Sequence, residues 1–371
     1  MKICFWGNAS AALQGKTTGG AELQIALLAK ALASYGHDIV IVDYKSQESY
    51  FTDEGIHVMN VPNWDKGIRG LRFFINRIPA ILKILSLQKA DYYYVRSRSF
   101  LHLFPFLVAR KLGSRFILSV AQDVDLFNFR QQLRYEFTTS SNLIKALSVD
   151  IPSFLVSNYL LKRADFLQVQ HSGQKLLSDH LKGKTILFPN IIIPSKSKFP
   201  ESEYDNYYIH VGTISVYKGA RELFHLIAAL NSNIKVVIVG NPFDNESRNI
   251  VERLKSFSNV IIRDRQSHMS TLGLISNAIA LICTSKYEGF PNIFLEAWSS
   301  GVPVISLSVN PGNVFSNQAV GLWCEGDLTK MKTAMESYKI GEFDKMKTKS
   351  YIREFHDFDT AAERFTKLIA S

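Results

Sequence analysis

Twice along this 371-residue chain, a short apolar segment leads through a glycine-bearing loop into a helix-period stretch and on to another apolar segment. The first round is Lys2–Trp6, a polar loop to Gly20, a helical run over residues 22–35 stopped by Gly36, and a strand over residues 39–42. The second is Tyr207–Val211, Gly212, a helical run over 221–231, then Lys235–Val239 and Gly240. Strand–loop–helix–strand is the βαβ unit, and chained units build a parallel sheet covered on both faces. Residues 92–95, 115–120 and 166–169 read as further strands of the first round; 260–262, 280–283 and 303–306 continue the second. The pattern predicts an α/β protein of two Rossmann-like domains facing a cleft, with ligands beyond the carboxyl ends of the strands. Residues 1–190 form the first domain and 191–355 the second, with a polar linker or long loop over 194–206.

Composition narrows the function. At 46% apolar and 20% charged residues the chain is too apolar to be disordered. No run of about 18 uncharged apolar residues is present, and the apolar N-terminus breaks at Gly7-Asn8, short of a signal peptide. Cys4, Cys283 and Cys324 are too far apart for a disulfide framework or a zinc site, which suits a reducing cytosol. The net charge of +10 suggests polyanionic partners. It is uneven: residues 1–190 carry 23 Lys+Arg against 14 Asp+Glu, and the remainder 20 against 19. No RNA- or DNA-binding module signature accompanies it, so no nucleic-acid partner is expected.

Part of the excess lies over residues 66–83. Ile68, Leu71, Ile75, Ile78 and Leu82 recur at helical steps, with Arg69, Arg72 and Lys83 off that stripe and Pro79 set to kink the helix. A basic amphipathic helix over 66–85 fits an anionic membrane surface, as Phe73 and Phe74 beside arginines suggest. A surface helix packing its stripe on the core fits equally well.

Three loops carry chemistry. Gly19-Gly20 precedes a helix whose N-terminus attracts anions. A Walker A reading around Gly15-Lys16-Thr17 fails because Ser10 stands where a glycine is required. In Gly212-Thr213-Ile214-Ser215-Val216-Tyr217-Lys218-Gly219, Lys218 opens a helix, where the dipole disfavours a cation unless an anion is near. Finally, Glu288-Gly289-Phe290-Pro291-Asn292-Ile293 leads into a helix bearing Glu296. A carboxylate in such a loop can accept sugar hydroxyls, one on the first turns of the helix can accept a ribose diol, and the amides around residues 292–294 would face a diphosphate; a pair of solvated glutamates is the plain alternative.

Glu288-Gly289-Phe290-Pro291-Asn292, Leu295-Glu296-Ala297-Trp298 and Gly301-Val302-Pro303-Val304 resemble the E-x7-E segment of retaining GT-B glycosyltransferases, family 4. The resemblance is specific in the C-terminal half and loose in the N-terminal half. It implies a GT-B fold with an N-terminal acceptor domain, a C-terminal donor domain, and a last helix (356–371) returning to the first domain. It also implies that Glu288 contacts the donor sugar, Glu296 the ribose, and Lys218 with the Gly20 amide the diphosphate. Gly19, Gly212, Gly289, Phe290, Pro291, Asn292 and Ile293 would line the donor, with the base near Ile262 and Arg263.

Two departures stand out. Thr213 occupies a position where the family often has Arg, leaving Arg265, Arg221 or Lys16 as substitute cations. Gln122-Asp123 stands where members often carry His-Asp, making Asp123 the candidate acceptor-side residue. Asp123-Val124-Asp125 also spells a D-x-D, but the resembled family uses no metal, so neither metal nor cofactor is expected. His171 follows a strand and reads either as facing the cleft or as a structural histidine.

The implied activity is transfer of a hexose-type sugar from a nucleotide diphosphate sugar to a saccharide or lipid-linked saccharide, with retention, in bacterial surface polysaccharide assembly. The alternatives are a sugar-nucleotide epimerase on the same fold and a non-catalytic sugar-nucleotide-binding subunit.

Overall fold

The computed structural model describes residues 1–16, 19–68, 71–128, 130–131, 146–181, 183–194, 202–337 and 343–370. It divides into two units: Met1–Ile191 with Phe358–Ser371, and Ile192–Asp357. Each is a parallel sheet with helices on both faces, and both are Rossmann-like.

The first unit holds β1 (Lys2–Trp6), β2 (Asp38–Asp43), β3 (Tyr50–Phe51), β4 (His57–Asn60), β5 (Tyr92–Arg96), β6 (Arg115–Ser119), β7 (Phe166–Val169) and β8 (Lys184–Leu187). Their order is β3-β4-β2-β1-β5-β6-β7-β8, parallel except for the short edge pair β3–β4. Strands such as Ile39-Val40-Ile41-Val42 have no polar alternation because both faces are covered. One face packs the helix Gly20–Ser34 and the last helix, Ala361–Ala370, through Leu28, Leu32, Phe365 and Ile369. The second unit holds β9 (Tyr207–Val211), β10 (Lys235–Val239), β11 (Val260–Arg263), β12 (Ala280–Cys283), β13 (Val304–Ser306) and β14 (Gly321–Trp323), all parallel, in the order β11-β10-β9-β12-β13-β14.

Some expectations are corrected. The loop after β1 contains a helical turn, Ser10–Leu13, held by the Asp43 carboxylate, which accepts the Ser10 amide at 2.9 Å. The stripe read over residues 66–83 does not form one buried face. A π-helical turn at Phe73–Arg77 shifts the register before the helix Ile78–Gln88, which buries Ile81, Ile84 and Leu85. Ile68, Leu71 and Ile75 point to solvent, and Phe74 joins them, while Phe73 packs on Phe100 and Phe104. Arg69 and most of the linker, residues 195–201, lie outside the described residues. No helix among the described residues is long and apolar enough to cross a membrane.

Candidate active site

The second unit gathers its polar groups at the carboxyl ends of β9, β10 and β12. Gly212 and Gly240 end β9 and β10 at φ 146° and 151°, and a Cβ at Gly240 would lie 1.9 Å from the Gly212 carbonyl oxygen. Only glycine lets the two strand ends approach this closely. The loop from Gly212 is pinned by its own amides: Ile214 donates to the Asn241 carbonyl at 3.1 Å and Lys218 to Ser215 Oγ at 3.1 Å. It ends at Gly219, in left-handed conformation at the cap of the helix Ala220–Ala229.

This loop and the segment after β12 meet side by side. Lys218 Nζ pairs with Glu288 Oε1, and Lys286 Nζ with Glu222 Oε1 at 2.8 Å. The lysine at a helix start, unfavourable by itself, thus has its anion within the protein. Glu288 is mostly buried and Lys218 half-buried, so the pair is shielded from screening more than a surface pair is. Behind it, burial pushes His210 on β9 down to about 4, leaving a neutral imidazole whose Nδ1 has no hydrogen-bond partner among the described residues.

From Glu288 the chain enters the helix Asn292–Ser299, where Pro291 occupies the cap and supplies no side-chain acceptor. Phe290 does not line an open site. Its ring is buried, 4.8 Å from His356 and 6.1 Å from Trp298, and Pro291 is also buried, so this stretch can offer a ligand main-chain groups and the half-buried Asn292 and Ile293. Glu296 lies on the second turn and receives His268 Nε2 at Oε1, 3.2 Å away. The hydrogen bond to Glu296 raises the His268 pKa above its ordinary value.

The remaining residues expected near a donor lie elsewhere in this unit. Thr213 is exposed on its loop. Ile262 is half-buried on β11, and the Arg263 guanidinium is engaged by Tyr204 Oη at 2.8 Å and by Glu203, so its side chain is committed within the protein. Of the substitute cations, Arg221 is held by both oxygens of Glu246, at 2.5 and 2.9 Å. Arg265 donates its amide to Asn241 Oδ1 at 2.8 Å.

In the first unit, Gly19 caps the helix that Gly20 begins, and Lys16 is exposed. Asp123 accepts from His171 Nε2 at 3.1 Å and from Gln174 Nε2 at 2.9 Å. The Gln174 amide points at His171 Nδ1, which assigns the ring hydrogen to Nε2, facing the carboxylate. The histidine is therefore Asp123's partner across 48 residues of sequence. Asp125, the second member of the D-x-D, is half-buried and accepts the amides of Ala121 and Gln122 at 3.0 and 3.1 Å. Among the described residues, no cluster of three or more His, Cys, Asp or Glu side chains is arranged to hold a metal ion.

Sequence reasoning passed over His268, Gln174 and Asp43. Only Asp43, at a strand end beside an N-terminal loop, left a local signal.

The fold so described is the GT-B fold, and residues 193–339 match the family model described as Glycosyl transferases group 1. The match lies within the second unit. An uncharacterized glycosyltransferase of Methanocaldococcus jannaschii is 28% identical over 177 residues; the match spans 43% of this chain and 43% of that relative. Sucrose-phosphate synthase from Thermosynechococcus elongatus superposes with a TM-score of 0.78 at 14% identity, covering 100% of this chain and 98% of that one. WaaG, a glycosyltransferase involved in lipopolysaccharide biosynthesis, gives 0.70 at 15%, covering 100% of both chains. Anabaena HepE in complex with UDP-glucose gives 0.70 at 13%, covering 100% and 99%. At these identities the likeness is one of fold.

Proposed function

We propose that this protein is a retaining glycosyltransferase that moves a hexose-type sugar from a nucleotide diphosphate sugar, a UDP-sugar being favoured, to a saccharide or lipid-linked saccharide. The setting is assembly of a bacterial surface polysaccharide, in the cytoplasm and peripherally at the inner membrane face. The observation that carries this reading is the junction of Lys218 with Glu288, eight residues before Glu296, where two glycine-bearing loops of a glycosyl transferases group 1 domain meet. The solved structure with UDP-glucose supports the donor, and the lipopolysaccharide enzyme supports the setting.

The chemistry asks for charge stabilisation more than for a strong base. Breaking the bond from the anomeric carbon to the phosphate oxygen sends the electron pair to the phosphate and leaves oxocarbenium-like charge on the sugar. Lys218 and the amides opening the helix Asn292–Ser299 meet the growing phosphate charge. Glu288, once Lys218 turns to the diphosphate, accepts hydroxyls of the sugar. The acceptor hydroxyl attacks the same face and passes its proton to the departing phosphate oxygen, so neither nucleophile nor metal is required. Asp123, held by His171 and Gln174, is the acceptor-side carboxylate.

A panel of UDP-, GDP- and ADP-sugars, read by calorimetry and by slow donor hydrolysis, tests this. One donor should bind and turn over, and Lys218→Ala and Glu288→Ala should each abolish most of that turnover. Near-wild-type rates in both variants overturn the assignment. Conversion of donor without any acceptor would indicate an epimerase.

A further inference from the structure

The nearly buried carboxylate of Glu296 is held from outside its own helix, by a histidine that plays no part in the reading above. The Glu296 side chain is 12% exposed and that of His268 53%, so the histidine is the more open member of the pair. An ion pair between two exposed groups contributes little, but fixing a shielded carboxylate decides where its lone pairs point. The helix Asn292–Ser299 gives no such support: Ser299 Oγ and Ser300 Oγ both donate to the Glu296 main-chain oxygen.

His268 is well anchored for the task. It is the first residue of the helix His268–Ser276, which Ser267 caps by accepting the Ser270 amide at 3.2 Å, and Thr271 Oγ1 returns a bond to the Ser267 carbonyl at 2.9 Å. Leu272 and Ile275 tie this helix into the same core as Phe294, Leu295 and Trp298 of the helix that carries Glu296. Both ends of the His268–Glu296 contact therefore stand on one packed frame.

We propose that His268 is a positioning residue of the nucleotide subsite, turning the Glu296 carboxylate so that its remaining lone pairs accept the two hydroxyls of a ribose. A carboxylate offers about four acceptor sites. With Nε2 on one side of Oε1, the other oxygen and the second lone pair of Oε1 are left for a vicinal diol. The inference rests on the proposed reading of Glu296 as the ribose acceptor.

The test is calorimetry of the full chain with UDP and 2′,3′-dideoxy-UDP, with the GDP and ADP pairs alongside, for wild type, His268→Ala and His268→Gln. Thermal melting confirms that each variant is folded. Wild type should bind the ribonucleotide roughly tenfold more tightly than its dideoxy analogue, as for a hydrogen bond to a charged group. His268→Ala should lose most of that difference while binding the dideoxy nucleotide like wild type, and His268→Gln, which keeps an N–H donor, should regain it. An equal loss of both nucleotides in His268→Ala overturns the inference and leaves Glu296 as ribose acceptor. Failure of wild type to distinguish the diol, or to bind any of the three diphosphates, overturns the underlying reading and the inference with it.

Discussion

A Cβ on Gly219 would stand 1.9 Å from the carbonyl oxygen of Thr284 and 2.5 Å from its carbonyl carbon. This contact sets the Lys218 loop against the end of β12 and so brings Lys218 to Glu288. Gly219 also has φ 78°, a left-handed conformation. Gly219→Ala therefore combines backbone strain with a clash against main chain that has no room to move. The expected cost is about 3 kcal/mol, read as a lowered urea midpoint. Gly36→Ala is the control: it has φ 93° but nothing within 4 Å, and should cost about 1 kcal/mol.

Lys218 and Glu288 should separate by ligand. Lys218→Ala removes a cation from the diphosphate and should weaken binding of the nucleoside diphosphate itself. Glu288→Gln releases the ammonium from its internal partner, so nucleoside diphosphate affinity should hold or rise, while turnover of the sugar nucleotide falls about 100-fold. Parallel calorimetry and transfer assays read both effects. Equal loss of nucleotide affinity in the two variants would contradict separate roles.

Two histidines of the second unit, His268 and His210, should titrate on opposite sides of the ordinary value near 6.5. The hydrogen bond to Glu296 raises His268, while burial pushes His210 down to about 4. A raised histidine stabilises the folded state fully below its unfolded pKa, and that contribution fades as pH rises through the folded value. Imidazole proton NMR should place the His268 midpoint above 6.5 in wild type and return it toward 6.5 in Glu296→Gln, with His210 unmoved.

The legible parts of the chain are those where one local pattern decides the outcome. Continuous apolar runs such as Val236-Val237-Ile238-Val239 can only be strands covered on both faces, and β9, β10 and β12 have the expected bounds. Gly212 and Gly240 were legible as the ends of β9 and β10, but the close approach of Gly240 to the Gly212 carbonyl was not. Pairings across the fold were not. Lys218 meets Glu288 across 70 residues, and His268 meets Glu296 across 28, distances at which spacing carries no signal. The faces of residues 66–85 were misread because a 3.6-residue period was continued through the π-helical turn at Phe73–Arg77.

That turn leaves Ile68, Leu71, Phe74 and Ile75 52–71% exposed on the strongly basic first unit. Arg72 and Arg77 both reach Asp65, at 3.9 and 3.3 Å, and Arg77 lies 4.3 Å over the Trp64 ring. One carboxylate thus faces two guanidiniums, and positive charge remains beside four apolar side chains. Such a surface suits the headgroup region of an anionic bilayer, where apolar burial and charge attraction add. Burying one phenylalanine or isoleucine side chain contributes about 1.5–3 kcal/mol, so Phe74→Ser with Ile75→Ser should lower vesicle affinity by at least tenfold. Both residues are exposed, so melting should change little. Sedimentation with phosphatidylglycerol vesicles at low salt should pull down the wild type, and phosphatidylcholine vesicles should not. Loss of binding at high salt would follow from screening over the Debye length. A wild type that stays in the supernatant with anionic vesicles at low salt removes the membrane from the account of this surface.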